Sequence, residues 1–190
     1  MDGCQAVLCD GNISIDLLNK LSIKADEMQL PFIYEPTSII KSVKVLDFAI
    51  RHTCMITPNV YELCRMISIL KNKEVDNNND LTIDQIIEMG QVLLQSMKSQ
   101  FACHVIVIVG RRGVVAISRS MNQEISSKHY PLSQEDLNIK VINSNGAGDT
   151  MVATIVAGHY IKGYDLDVAI QAGMHAATFT FNQSQLFQMS

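Results

Sequence analysis

Residues 143–150 read Asn-Ser-Asn-Gly-Ala-Gly-Asp-Thr, a glycine-rich turn that ends in an acid and leads into a long apolar segment. Gly146 and Gly148 allow the backbone to turn tightly and to approach a ligand closely, because glycine has no side chain. Residues 150–161 have the apolar spacing of a helix, whose first N–H groups would point back at the turn. The turn is therefore a candidate anion site, and Asp149 is a candidate acid-base group for phosphoryl transfer.

Other interpretations of this turn stay open. Asn145-Gly146 is a dipeptide typical of hairpins, although the segment after it has helical spacing. Gly146-Ala147-Gly148 begins like a dinucleotide-binding fingerprint, but Met151 stands where the third glycine of that fingerprint would fall. A purely structural helix start is the strongest alternative, because glycine and short acids favour helix starts for stability alone.

The rest of the chain alternates short β-branched runs with longer segments of helical spacing. This alternation predicts an α/β protein with three αβα layers and a mainly parallel central sheet, and 190 residues fit one domain over positions 1–190. The predicted strands are 6–9, 32–34, 55–57, 104–109 and 114–118, and the predicted helices are 13–27, 42–51, 60–71, 82–100, 150–161 and 165–181. Residues 110–113 would connect a hairpin.

Composition excludes several classes of protein. The net charge is −4, and no basic cluster is longer than Arg111-Arg112, so neither a nucleic-acid footprint nor a membrane-surface patch is visible. Five scattered cysteines without CxxC spacing argue against a disulfide framework and a zinc site. No apolar run has membrane-spanning length, and the first residues do not resemble a signal peptide. We expect a cytoplasmic protein with a small-molecule partner, and homo-oligomer formation stays open.

Two further segments follow predicted strands at the edge of the sheet where α/β folds bind ligands. Asn59-Val60-Tyr61-Glu62 has the spacing of a capping box, in which Glu62 reaches back to the start of the helix. A carboxylate at that edge could instead hold a hydrated magnesium ion. Gly110-Arg111-Arg112-Gly113 fits an ordinary tight hairpin. The alternative is a loop whose backbone amides and an arginine face nucleotide phosphates.

In this order, the three segments resemble the PfkB, or ribokinase-like, family of carbohydrate and nucleoside kinases. Gly146-Ala147-Gly148-Asp149 is similar to the carboxyl-terminal motif of that family, and Asn59-Val60-Tyr61-Glu62 is similar to its NxxE motif. Within the family, pseudouridine kinases are the most similar group. The segments that carry this likeness are Cys9-Asp10-Gly11-Asn12-Ile13-Ser14, Phe32-Ile33-Tyr34-Glu35-Pro36-Thr37-Ser38 and Ile56-Thr57-Pro58-Asn59.

The resemblance implies a role for each motif. Asp149 would be the base that takes a proton from the acceptor hydroxyl, and Gly146, Ala147 and Gly148 would form the anion hole beside Asn145. Glu62 with Asn59 would organise Mg²⁺ and phosphate, the metal being held through water. The resemblance also implies that Gly110 and Gly113 line the nucleotide-binding loop, and that the ligands are ATP and Mg²⁺, with a monovalent cation as a further candidate.

The chain departs from the family pattern at Asn143, where aspartate is common, and at Ile108, where threonine is common. The resemblance covers the carboxyl-terminal part of the family, so we expect the amino-terminal part, with its diglycine motif, substrate pocket and lid, to be missing. Kinase activity toward a nucleoside or sugar hydroxyl, with pseudouridine as the first candidate acceptor, is one expectation. The alternatives are a truncated form that binds nucleotide or a partner without catalysis, and a dinucleotide-binding protein.

Overall fold

The structure is a computed structural model that describes residues 3–75, 81–133 and 146–183, with side chains to residue 178. The chain divides into two compact units. The first unit holds the residues up to Gly110 together with Val114–His129, and the second holds Arg111–Gly113 together with the residues from Tyr130 onward. The prediction of a single domain over residues 1–190 stays a prediction.

The strands of the described residues form one six-stranded sheet in the order β1-β2-β3-β4-β5-β6. They are β1 (Val7–Asp10), β2 (Phe32–Glu35), β3 (Thr53–Ile56), β4 (Cys103–Ile108), β5 (Val114–Arg119) and β6 (Ile125–Tyr130). Strands β1 to β4 pair in parallel, and β4 and β5 pair antiparallel as the predicted hairpin. The three-layer α/β class with a mainly parallel sheet is therefore confirmed.

The helices of the first unit are α1 (Ile15–Glu27), α2 (Ile39–Ser42), α3 (Val60–Lys71) and α4 (Ile83–Ser96). Each begins after a side-chain cap, supplied in turn by Ser14, Ser38, Asn59 and Thr82. Such caps satisfy N–H groups that have no partner within the helix. Apolar residues of α1, α3 and α4 and of β2 to β5 form most of the buried core, which includes Leu18, Phe32, Ile56, Leu63, Leu93 and Val105.

The described helices of the second unit are α5 (Ala147–Val156) and α6 (Leu166–Gln183), joined through a π-helical segment at Ala157–Ile161. The two helices pack closely at Gly173. A Cβ atom at this position would lie 2.7 Å from Ile155 Cγ1 and 2.9 Å from the Met151 carbonyl oxygen. Within the described ranges, no helix combines the length and hydropathy that crossing a membrane requires.

Two expectations about the elements were wrong in detail, and one strand was missed. The helix predicted at 42–51 is replaced by the short helix α2 and by two 3₁₀ segments, Val43–Leu46 and Ala49–Arg51. Ser42 and the β-branched residues that follow have a weak helix preference, which explains the break. The helix predicted to reach residue 100 ends at Ser96. Strand β6 was not predicted, because most of its residues are polar and exposed.

Candidate active site

The segment Asn59-Val60-Tyr61-Glu62 joins β3 to α3 as a complete capping box. The Asn59 side-chain oxygen accepts a hydrogen bond from the Glu62 N–H at 3.0 Å, and Glu62 Oε2 accepts one from the Asn59 N–H at 2.9 Å. Asn59 also forms a parallel bridge to Ile108 at the end of β4. The predicted pair is thus brought together at the carboxyl ends of two neighbouring strands, where ligands of α/β sheets bind.

Glu62 is a buried acid, with 4% of its surface exposed. Burial raises the pKa of its carboxyl group, the negative charge of Glu35 adds to the rise, and the hydrogen bond from the Asn59 backbone opposes it. Its Oε1 atom accepts no hydrogen bond from a described residue. The side chain therefore has one oxygen committed to the cap and one available to water or to a hydrated cation.

The loops after β1 and β2 are tied together at this same edge of the sheet. The Gly11 N–H donates to Thr37 Oγ1 at 2.9 Å, and Thr37 Oγ1 donates to Glu35 Oε2 at 2.9 Å. A Cβ atom at residue 11 would lie 2.4 Å from the Pro36 carbonyl oxygen, so only glycine permits this approach. Asp10 and Glu35 are register partners, which places a second and a third carboxylate at the edge that carries Glu62.

Two lysines close the loop after β1. Lys41 Nζ donates to Asn12 Oδ1 at 2.5 Å, while Lys44 Nζ donates to the carbonyl oxygens of Gly11 and Ile13 at 2.8 and 2.9 Å. The site prediction did not include these residues, and the only signal in the sequence was their position after predicted strands. Their partners lie about thirty positions away along the chain, as the separations of 29, 33 and 31 residues show.

The two glycines predicted for the nucleotide loop have different environments. Gly110 begins a 3₁₀ turn with φ +58°, and a Cβ atom built on it meets no described atom within 4 Å. Gly113 has φ +90°, and a Cβ atom there would lie 2.0 Å from the Tyr130 carbonyl oxygen. Backbone conformation thus favours glycine at both positions, and the lack of space requires it at Gly113.

The glycine-rich turn leads into α5, which begins at Ala147 rather than at the predicted residue 150, so Gly148 and Asp149 lie in its first turn. Gly146 precedes the helix with φ +81°, and no side chain caps this end among the described residues. The first backbone hydrogen bond runs from the Thr150 N–H to the Gly146 carbonyl oxygen at 2.9 Å. The N–H groups of Ala147, Gly148 and Asp149 therefore precede the first helical bond, and Asp149 and Gly148 are exposed. Asn143 and Asn145 lie outside the described residues.

The residues of the first unit fit a hydrated magnesium ion. The described residues contain no group of three or more His, Cys, Asp or Glu side chains that could hold a metal directly. Mg²⁺ commonly uses one or two protein carboxylates and completes its shell with water and phosphate oxygens. Glu62 Oε1 is suited to such a contact. The buried Thr57 hydroxyl, directly after β3, has no hydrogen-bond partner among the described residues and is left for a water molecule or a ligand.

Comparison of the sequence with protein families gives a match to the pfkB family carbohydrate kinase pattern over residues 3–187. The chain belongs to the pfkB family of carbohydrate kinases. The resemblance noted from the Asn59–Glu62 and Gly146–Asp149 motifs is therefore confirmed at the level of the family. A search among curated protein sequences gives no significant match.

Solved structures of pfkB-like kinases share the fold of this chain. Adenosine kinase from Trypanosoma brucei brucei is 15% identical with a TM-score of 0.72, and the match covers 95% of this chain and 52% of that one. Adenosine kinase from Schistosoma mansoni is 17% identical with a TM-score of 0.69, over 93% and 50%. Ribokinase from Thermotoga maritima is 16% identical with a TM-score of 0.66, over 92% and 49%. The pfkB-family chain described here thus spans about half the length of these structures.

Proposed function

We propose that this chain forms the nucleotide-binding and catalytic part of an ATP-dependent kinase that phosphorylates a hydroxyl group of a nucleoside or a sugar. The observation that carries the proposal is the start of α5, where an exposed acid, Asp149, follows N–H groups that precede the first helical bond. Membership of the pfkB family supports the reaction class. The adenosine kinases and the ribokinase of the same fold support the acceptor class.

The proposed mechanism assigns tasks to two of the three motifs. Asp149 accepts the proton of the acceptor hydroxyl, and the N–H groups of Ala147 and Gly148 hold the negative charge that develops on the transferred phosphoryl group. Glu62 Oε1, with the Asn59 segment beside it, would hold a hydrated Mg²⁺ ion. Mg²⁺, when bound, supplies the charge that neutralises the phosphate oxygens.

Pseudouridine is the acceptor that we propose within this class, giving pseudouridine 5′-phosphate as the product. The support is the sequence similarity of residues 9–14, 32–38 and 56–59 to pseudouridine kinases. In the structure, the first two of these segments form the interlocked loops after β1 and β2, through the Gly11–Thr37 hydrogen bond of 2.9 Å. Loops that are held this firmly can present a fixed surface to a ligand at the edge of the sheet.

A second candidate function is nucleotide or partner binding without catalysis. The chain spans 49–52% of the length of the three kinase structures named above, and Leu8 on the outer strand β1 is 43% exposed. A catalytic turn without the remaining surface for the acceptor would bind ATP and transfer little.

Titration calorimetry with ATP and Mg²⁺, NADH and pseudouridine separates these candidates. ATP and pseudouridine binding supports the kinase, whereas ATP binding alone supports the non-catalytic candidate. NADH binding alone contradicts both. Phosphoryl transfer by Asp149→Asn is then compared with that of Asp165→Asn, a matched change of an exposed acid in the same unit. We expect Asp149→Asn to lose transfer and keep ATP binding. Retention of most turnover by this variant would show that Asp149 is not the base.

A further inference from the structure

A cavity lies at the amino-terminal ends of β3 and β4, the opposite ends of these strands from Asn59 and Ile108. Its volume is about 420 Å³, which is in the range of small-molecule sites. Its walls come from the end of α1, the turn before β3 and the segment between α4 and β4. The side chains used in the argument below are Asp26, Phe48, Arg51, His52, Lys98 and Gln100.

Long-range hydrogen bonds fix the three walls of this cavity to one another. The Lys98 N–H donates to the Arg51 carbonyl oxygen at 3.0 Å, which joins the two segments that carry the cations. Gln100 Nε2 donates to the Asp26 carbonyl oxygen and Oδ1 at 3.3 and 3.2 Å. The backbone positions of the cationic side chains are therefore set before any ligand arrives, which lowers the entropic cost of binding.

The charges of the cavity are unbalanced in favour of a positive potential. Both carboxylate oxygens of Asp26 are engaged, Oδ1 by Gln100 and Oδ2 by His52 Nδ1 at 3.4 Å. Within the part of the chain that the structure describes, neither the Arg51 guanidinium nor the Lys98 ammonium has a carboxylate partner. Two unpaired cations thus face one committed carboxylate, in a chain whose net charge is −4.

We propose that this cavity binds the phosphate group of a small phosphorylated molecule. The guanidinium of Arg51 matches two phosphate oxygens at once, and the Lys98 ammonium adds a point charge. The cavity is larger than a phosphate ion, so an organic group would enter with it. The rings of Phe48 and His52, with centroids 5.2 Å apart, supply a partly apolar wall for that group. Sugar phosphates and nucleoside monophosphates share this chemistry.

The test is an NMR titration of the isotope-labelled full chain with inorganic phosphate, ribose 5-phosphate and AMP. We expect saturable shifts of the amides around Arg51, Lys98 and Gln100, with tighter binding of at least one organic phosphate than of inorganic phosphate. Signals of Gly146 and Gly148 report separately on binding at the α5 turn. A stronger response to ribose 5-phosphate than to AMP identifies a sugar phosphate as the ligand class, and the reverse order identifies a nucleotide.

Variants distinguish this site from general surface charge. Arg51→Gln and Lys98→Gln should each weaken ligand binding, measured as Kd, about three- to tenfold, and together about tenfold or more. Arg65→Gln with Lys71→Gln, a matched pair of exposed cations on α3, should leave it unchanged. The proposal is overturned if no saturable shift occurs near Arg51 up to about 10 mM ligand, a limit that covers millimolar binding. Equal losses in the control pair would overturn it as well.

Discussion

Replacement of Glu62 by glutamine should leave the fold as stable as before or more stable, whereas replacement by alanine should destabilise it. Glutamine keeps a side-chain oxygen that can accept the 2.9 Å hydrogen bond from the Asn59 N–H. It also removes a charge from a side chain that is only 4% exposed. Alanine removes the acceptor as well, and so opens the capping box of α3.

The size of the two effects follows from the contacts that change. Glu62→Ala leaves the Asn59 N–H without its acceptor, which costs about 1–3 kcal/mol, while the Asn59 side chain still caps the N–H of residue 62. Glu62→Ala should therefore lower the free energy of unfolding by about 2 kcal/mol, or lower Tm by about 4–8 °C for a chain of this size. Glu62→Gln should raise the free energy of unfolding by between about 0 and 1 kcal/mol at pH 7, because a buried charge is costly.

The pH dependence separates the charge from the cap. Burial raises the pKa of Glu62 in the folded chain above its unfolded value, so the folded state holds the proton more tightly. The favourable contribution of this proton is complete below the unfolded pKa and is lost as the pH rises through the folded pKa. The gain in free energy of unfolding of Glu62→Gln over the parent should therefore be absent below about pH 4 and should grow toward neutral pH.

Urea denaturation followed by far-UV circular dichroism measures these differences. The second capping box, Thr82 with Gln85, supplies matched controls, because glutamine occupies the corresponding position there and the residue is exposed. Gln85→Ala should cost about 1 kcal/mol, and Gln85→Glu should change little. The reasoning is refuted if Glu62→Gln destabilises the chain as much as Glu62→Ala does, or if its advantage grows as the pH falls.

Two further predictions concern backbone space and thiol reactivity. Gly113→Ala should lower the free energy of unfolding by about 2–4 kcal/mol, since the new Cβ would lie 2.0 Å from the Tyr130 carbonyl oxygen. Gly110→Ala should cost only about 1 kcal/mol, because no described atom lies within 4 Å of the new Cβ. Thermal unfolding measures both variants, and equal losses of stability would contradict this reasoning. Among the five cysteines, iodoacetamide should modify exposed Cys4 first and buried Cys9 more slowly, because burial raises the pKa of the Cys9 thiol to about 11. Peptide mass spectrometry measures the modification rates, and equal rates at Cys4 and Cys9 would refute this.

Much of the fold could be predicted from local patterns in the sequence. The buried strand Cys103–Ile108 contains a continuous β-branched run at residues 105–108, and the Thr82–Gln85 spacing marks the start of α4 correctly. Strand β6 could not be predicted, because only its ends, Ile125 and Tyr130, are large apolar residues. The place of β6 in the sheet depends on its pairing with β5, which no local window of sequence contains.

The candidate site was predictable only where its residues are close in the sequence. The Asn59–Glu62 contact follows from a spacing of three along one helix turn, and both partners are correctly identified. The Gly11–Thr37 hydrogen bond joins residues 26 positions apart, and it depends on two strands lying side by side. The burial of Glu62 could not be predicted from the local sequence either, because it results from packing of the whole core around the start of α3. The roles assigned to Gly146–Gly148 and Asp149 stay predictions.

The contrast between the two capping boxes bears on why residue 62 is a glutamate. An acid in the first turn gains up to about 1 kcal/mol from the helix dipole, but this gain is offset when the acid is buried. At the exposed position 85 the chain uses glutamine, where a glutamate would cost little, and at the buried position 62 it uses the acid, where the charge is costly. A capping role alone would favour the opposite choice. We infer that the charge at Glu62 serves a cation. Adding Mg²⁺ to the ATP-bound chain should then raise Tm further for the parent chain but not for Glu62→Gln.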